Sequence, residues 1–209
     1  MTETRPTIFI VDDDPSVRDP MVLMLKSVGF NVKTFVSAQD FLNAILHQQG
    51  LTCLILDMRM PGMSGLDLQE KLVSEKTPLP VIFIPGPGTV PMSVRAMKAG
   101  AVDFLQKPFE EQDLLDAINR AITQQRERKS RKDEADELQQ RVKALTPRES
   151  EVFSLLVTGM ANKEIAYKLG TSERTVKAHR AQIMEKMNAG SLADLVRFAE
   201  KLKTRPPDL

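Results

Sequence analysis

The sequence predicts a doubly wound α/β unit followed by an all-α unit of four helices that includes a helix-turn-helix. Three observations carry this. The first 120 residues alternate short apolar runs with helix-length segments, whereas the last 65 or so hold only short helical patterns divided by glycines. The 209-residue length suits two small domains. The charge is split: residues 1–120 carry 11 Lys and Arg against 15 Asp and Glu, and residues 121–209 carry 18 against 13, so a net +1 conceals an acidic part and a basic part. A basic part beside an acidic one is a pattern of nucleic-acid binding regions.

Composition bounds the class. Hydrophobic residues at 42% and charged residues at 27% are ordinary for a globular chain. No apolar stretch reaches the eighteen or so residues of a membrane span, and Met1–Pro6 has neither the basic start nor the apolar run of a signal peptide. The expectation is a cytoplasmic protein with no membrane partner. Cys53 is the single cysteine, which excludes an intrachain disulfide or a cysteine zinc site, and its neighbours Leu51, Leu54 and Ile55 predict a buried, inert thiol.

Along the chain, Thr7–Val11, Cys53–Leu56, Val81–Ile84 and Val102–Leu105 read as strands, three of them too continuously apolar for a half-exposed sheet and therefore buried and parallel. Asn31–Phe35 alternates and predicts a strand nearer an edge. Val17, Met21, Met24, Leu25 and Val28 have helical spacing ahead of Gly29, a left-handed cap. Strand and helix alternate five times in about 120 residues, which predicts an open flavodoxin-like sheet covered on both faces, with its ligand site beyond the carboxyl ends of the strands.

The residues expected there are unusual. The first strand ends in Asp12, Asp13 and Asp14, the third in Asp57, and the fifth is followed by Lys107. Converging carboxylates repel one another and imply a compensating cation, and hard oxygen ligands suit Mg²⁺. A carboxylate beside a divalent ion and a lysine is equipped to attack phosphorus and hold an acyl phosphate. Asp14 before Pro15 is read instead as the cap of the first helix.

The segments VDDDPSVR, LILDMRMPGMSGLDL and SVRAMKAGAVDFLQKPF, in that order, resemble the receiver domain of two-component response regulators over roughly residues 5–125. The resemblance implies that Asp57 is the phosphoacceptor for a sensor histidine kinase. It also implies that Asp12, Asp13, Asp57 and the backbone carbonyl of Arg59 bind Mg²⁺, that Lys107 contacts the phosphoryl group, and that Phe104 is the aromatic switch residue, with an ordinary core role as its alternative. One residue departs from the pattern. Where the family carries a switch Thr or Ser, 22 residues before the lysine, stands Pro85, within Pro85-Gly86-Pro87-Gly88. Proline has neither hydroxyl nor backbone N–H, so hydroxyl-to-aromatic coupling cannot run through it.

From Glu110 the helical pattern continues without Gly or Pro as far as Pro147, which permits one long helix. Ala135, Leu138, Val142 and Leu145 form an apolar seam, readable as a short coiled coil or as local packing. Beyond it, Thr146, Pro147 and Glu149 start a helix that ends at Gly159, Asn162–Leu169 form a second closed by Gly170, and Ser172 opens a third, giving the helix-turn-helix before a fourth. On the third, Val176, Ile183 and Met187 face inward while Lys177, Arg180, Ala181 and Met184 face elsewhere. Lys177 and Arg180 fit DNA or a solvated face, and His179 fits packing better than base reading.

LTPRESEV, NKEIA and TVKAHR make this segment resemble the LuxR-type helix-turn-helix domain, paired with a receiver as in FixJ-like and NarL-like regulators. Length and connector are further similar to styrene-type regulators of aromatic catabolism. The resemblance implies major-groove positions for Lys177, Ala178 and Ala181 and phosphate contacts for Thr175, Arg180 and Lys163. The implied organisation is a receiver over 1–125, a helical linker over 126–145 and a DNA-binding domain over 146–209. The implied function is a non-enzymatic transcription regulator whose phosphorylation promotes homodimer formation and promoter DNA binding, with RNA polymerase as a further partner. A regulator of the same fold uncoupled from Asp57 is the alternative that Pro85 motivates. A phosphatase reading of Asp12 and Asp14 is disfavoured by Asp57, Lys107 and the attached DNA-binding pattern.

Overall fold

The protein is described by a computed structural model over residues 5–45, 50–75, 77, 79–86 and 90–203. It divides into two compact units, one through Arg128 and one from Lys129 onward.

The first unit runs β1 (Thr7–Val11), α1 (Pro15–Ser27), β2 (Asn31–Phe35), α2 (Ala38–Ala44), β3 (Thr52–Leu56), α3 (Gly65–Ser74), β4 (Val81–Phe83), α4 (Val90–Lys98), β5 (Asp103–Phe104) and the start of α5 (Glu111–Lys143). The strands pair in parallel in the order β2-β1-β3-β4-β5. The direction reverses between β1 and β3, so a crevice opens at their carboxyl ends. Alternation of side chains divides the core between the two faces. Ile8, Ile10, Ile55 and Ile82 pack on Leu25 of α1 and on Leu114 and Ile118 of α5, whereas Phe9, Leu54 and Phe83 pack on Phe41 of α2 and on Leu68 and Leu72 of α3.

Differences from the sequence reading lie at element ends. β5 spans two residues instead of Val102–Leu105, although Val102 and Leu105 still donate their N–H groups to the Val81 and Phe83 carbonyls at 2.8 Å. Val28 leaves the apolar face because α1 ends at Ser27, and it is 51% exposed. At the start of β3, Thr52 N–H donates to Gln125 Oε1 at 2.7 Å and Gln125 Nε2 donates to Thr52 Oγ1 at 3.2 Å, which binds α5 to the sheet.

The second unit comprises the end of α5, α6 (Pro147–Leu156), α7 (Asn162–Lys168), α8 (Glu173–Lys186) and α9 (Leu192–Lys203). The Thr146–Glu149 capping box starts α6, and Ser172 caps α8 by accepting from Thr175 N–H. Gly170, at φ 61°, makes the turn between α7 and α8. Val152, Leu156, Ile165, Val176, Ile183 and Met187 form the core. Val142 and Leu145, the last two residues of the seam, pack in it. Met184, expected to face away, is half-buried and packs there too, because the groove between helices admits a flexible side chain. Cys53 is buried, and burial pushes its thiol far above the ordinary range. Among the described residues, no helix is long and apolar enough to cross a membrane.

Gly65, the first residue of α3, is required for space. A Cβ there would lie 2.2 Å from the Asp57 carbonyl oxygen and 3.1 Å from Leu56 and Phe83. Backbone must move to admit it, so Gly65→Ala is expected to cost about 1–3 kcal/mol in urea unfolding. Unchanged stability would show that the α3 terminus yields freely.

Candidate functional site

Three strands deliver the groups at the carboxyl edge. Asp57 N–H donates to the Val11 carbonyl at 2.9 Å, placing the ends of β1 and β3 side by side. Lys107 N–H donates to the Pro85 carbonyl at 2.9 Å, which brings the residue after β5 over the end of β4. From there Lys107 Nζ donates to Asp12 Oδ2 at 2.8 Å and to Asp57 Oδ1 at 2.7 Å. The remaining Asp57 oxygen accepts from Arg59 N–H at 2.8 Å, and Asp12 Oδ1 accepts from Asp14 N–H at 2.9 Å. Both carboxylates are thereby fixed in rotation. Arg18, to which the sequence reading assigned no role, donates to the Asp12 carbonyl at 2.7 Å. Its signal was its place in the first turns of α1, directed back at the strand end.

Burial pushes the Asp12 carboxyl up. Hydrogen bonds from Lys107 and Asp14 oppose this and the Asp57 charge adds to it, leaving the group above the usual carboxylate range. Burial alone would push the Lys107 ammonium down, but the hydrogen bonds and charges of Asp12 and Asp57 outweigh it and hold the group above the ordinary lysine range. One ammonium thus faces two buried carboxylates. Asp13 and Arg59 are exposed beside them. Asp14 caps α1 by accepting from Ser16 N–H, as read from the sequence. Among the described residues, no three His, Cys, Asp or Glu side chains are gathered into a metal-holding group. The chemistry of the donor set nevertheless fits Mg²⁺: the carboxylates of Asp12, Asp13 and Asp57 and the Arg59 carbonyl are all hard oxygen donors.

Pro85 is buried and offers only its carbonyl, while Phe104 is 38% exposed on β5 and is not enclosed by the core. Pro87, Gly88 and Thr89 lie outside the described residues.

On α8, Lys177, Ala178 and Ala181 are exposed and Arg180 and Thr175 half-buried, while Lys163 is exposed on α7. The Thr175 hydroxyl lies 2.9 Å from Ser172 Oγ within the helix cap. His179 is half-buried, and its Nδ1 is buried without a partner. The sequence reading missed two arginines that support these helices from behind, Arg141 and Arg148. They hold backbone carbonyls, a contact that leaves no periodic trace in the chain.

A doubly wound sheet with this carboxylate–lysine edge, joined to a helix-turn-helix unit, defines a response regulator. Residues 8–119 match the response regulator receiver domain and residues 143–199 match the bacterial regulatory proteins of the luxR family, and the chain belongs to the response regulators that combine the two. It is 45% identical over 199 residues to nodulation protein W of Bradyrhizobium diazoefficiens, covering 95% of this chain and 87% of that one. It is 45% identical over 203 residues to response regulator protein TmoT of Ectopseudomonas mendocina, covering 97% and 92%. Among solved structures, that of response regulator StyR aligns with a TM-score of 0.85 at 50% identity, covering 95% of this chain and all of that one. Full-length FixJ from B. japonicum aligns with a TM-score of 0.61 at 40% identity, covering 97% and 100%. The chain is therefore a regulator with a LuxR-type DNA-binding domain and not an enzyme. Its receiver implies a cognate sensor kinase, and receivers as a family use Mg²⁺ for phosphorylation.

The raised Asp12 value has a measurable sign. The folded state keeps this proton to higher pH than the unfolded chain, so stability declines as pH rises from below 3.8, the ordinary value, through the raised one. Asp12→Asn is expected to melt at a higher temperature than wild type at pH 7, with the gap closing below pH 3.8. A gap that persists there would exclude charge as its cause. The contribution of Lys107 has the opposite window, present below 10.5 and lost as pH rises through its raised value.

Proposed function

We propose that Asp57 accepts a phosphoryl group from a sensor histidine kinase and that this raises the affinity of the protein for promoter DNA through homodimer formation. The observation that carries the reading is the Lys107 ammonium held between Asp12 and Asp57 at 2.8 and 2.7 Å. An Asp57 oxygen attacks phosphorus, the phosphorus bond to the donor nitrogen breaks, and an acyl phosphate remains on Asp57 while the electron pair leaves with the donor. Lys107, released from the neutralised Asp57 oxygen, is within reach of the new phosphoryl oxygens. Asp12, Asp13, Asp57 and the Arg59 carbonyl would hold Mg²⁺, which when bound offsets phosphoryl charge. In the second unit, Lys177, Ala178 and Ala181 face bases, and Thr175, Arg180 and Lys163 face phosphates, with RNA polymerase recruited at the promoter. The functional division is a receiver over 1–125, a linker over 126–145 and a DNA-binding domain over 146–209.

Incubation with radiolabelled acetyl phosphate and Mg²⁺ is expected to label wild type stoichiometrically, and Asp57→Asn and Asp13→Ala not at all. Labelling of Asp13→Ala at the wild-type level would overturn the metal assignment, and labelling of Asp57→Asn the acceptor. Lys177→Ala is expected to lose about 1–3 kcal/mol of specific binding and relax base preference. Arg180→Ala should instead weaken binding to every sequence and flatten the salt dependence.

Pro85 favours a second reading, in which DNA binding is only weakly coupled to Asp57. A phosphoryl group biases the fold only through contacts that differ between states, and the missing hydroxyl removes one worth about 1 kcal/mol. Comparing wild type with Pro85→Thr in dimerisation and promoter binding, with and without beryllofluoride as the phosphoryl mimic, tests it. Weak coupling predicts a larger response in Pro85→Thr; an equal response would make the hydroxyl dispensable here.

A further inference from the structure

The helix-turn-helix is gripped from behind by the corner between α5 and α6. Arg141, in the last turn of α5, donates through Nη1 to the carbonyl of Met187 at 3.0 Å, and Met187 is the C-cap residue of α8. Its other nitrogen, Nη2, is held by Glu137 Oε1 at 2.7 Å, which orients the guanidinium. Arg148, in the first turn of α6, donates to the carbonyl of Leu169 at 2.6 Å, and Leu169 is the C-cap residue of α7. Arg148 is oriented in the same way by Glu151 at 2.7 Å. The two helices of the motif therefore each end on an arginine supplied by one short stretch of chain. A third bond joins the same parts: Lys186 Nζ, in the last turn of α8, donates to the buried Glu149 at 2.6 Å, whose carboxylate also accepts from Thr146 N–H at 2.7 Å.

Helix ends leave unsatisfied carbonyls that carry partial negative charge, so a cation there is favourable and geometrically specific. A guanidinium on a C-cap carbonyl fixes where the helix stops along its own axis. Side-chain packing of Val176, Ile183 and Met187 fixes the rotation of α8, but methyl contacts tolerate axial sliding better than a directional hydrogen bond does. Base reading requires the exposed residues at the other end of α8 to be placed to a fraction of an ångström.

We propose that Arg141 and Arg148 are positioning residues for DNA recognition, setting α8 and α7 along their axes through the Met187 and Leu169 carbonyls, so that the end of α5 belongs to the reading apparatus. This rests on the reading that α8 meets the bases through Lys177. It assigns the two arginines a role distinct from phosphate contact, since each directs one nitrogen to a backbone carbonyl and the other to a carboxylate, Glu137 or Glu151.

The test uses the full chain and two duplexes, one recovered by the wild-type protein from a random-sequence pool and one a scrambled version of it. Affinity is measured by fluorescence anisotropy over a series of salt concentrations, well below the melting temperature. Arg141→Ala and Arg148→Ala are each expected to weaken binding to the recovered duplex roughly tenfold, as the loss of a charge-assisted hydrogen bond would. Binding to the scrambled duplex, and the slope of log affinity against log salt, should stay as in wild type, because no phosphate contact is lost. Arg141→Lys should recover part of the affinity, its ammonium still able to donate to the carbonyl. A slope reduced by about one would mean a direct phosphate contact and overturn the proposal. So would a lowered melting temperature with unchanged affinity, which is the signature of a purely structural role. Lys177→Ala separates the two levels. If it weakens binding while the arginine variants do not, the positioning role alone is wrong; if none of the three matters, reading by α8 fails and the proposal fails with it.

Discussion

One ammonium group between two buried carboxylates organises the first unit. Asp12 and Asp57 are buried at the ends of adjacent parallel strands, and the Lys107 ammonium lies between their carboxylates. Without Lys107 the edge would carry two buried carboxylates side by side, which favours protonation of one of them over a pair of desolvated anions. The surrounding features serve that arrangement. Arg18 holds the Asp12 backbone, the Pro85 carbonyl holds the Lys107 N–H, and Gly65 lets α3 begin against the Asp57 carbonyl where any side chain would intrude. Burial holds Asp12 above the usual carboxylate range, with the Asp57 charge a smaller push in the same direction, and the oxygen donors of this edge are of the kind that suits a hard cation.

Much of this was legible in the chain because it follows from short-range rules. Continuous β-branched runs announce buried parallel strands, and the strand-end position of Asp12 and Asp57 follows once the strands are placed. Lys107 could be assigned to the same edge because it follows the fifth strand. The extent of β5 was not legible. Four apolar-leaning residues predict a strand of that length, but an edge strand pairs on one side only, and its regular part shrinks to Asp103 and Phe104. Phe104 shows the limit at single-residue scale: composition predicts an aromatic in the core, yet its outward position on a two-residue strand leaves it partly in solvent.

In the second unit the caps and glycines were decisive. Thr146, Ser172 and Gly170 act within a turn of their own position, so helix starts and the tight turn could be read directly. What the sequence could not convey is where the long-range side chains land. Arg141 and Arg148 look like any solvated cations on charged helices, because their acceptors are backbone carbonyls at Met187 and Leu169, which have no residue-type signature. The seam of α5 was ambiguous for a related reason. An apolar repeat states that a face is buried and leaves open against what, and for Val142 and Leu145 the answer is the core that Val152 and Ile183 also build.

The two units use cations in opposite ways. In the second, Arg141, Arg148 and Lys186 hold groups whose charge does not change, two C-cap carbonyls and a carboxylate kept ionised by Lys186 and Thr146, so the arrangement is static. In the first, Lys107 holds the carboxylate proposed above to accept a phosphoryl group. An acyl phosphate on Asp57 removes the anion Lys107 now holds and sets another, with roughly two negative charges, a bond or two further out. A side chain suspended between two partners at 2.8 and 2.7 Å then has a reason to move, since the balance that keeps it there is altered on one side only. Pro85 lies next to that balance. Its carbonyl holds the Lys107 N–H at 2.9 Å, and as a proline it has no hydroxyl through which a group on Asp57 would draw the end of β4.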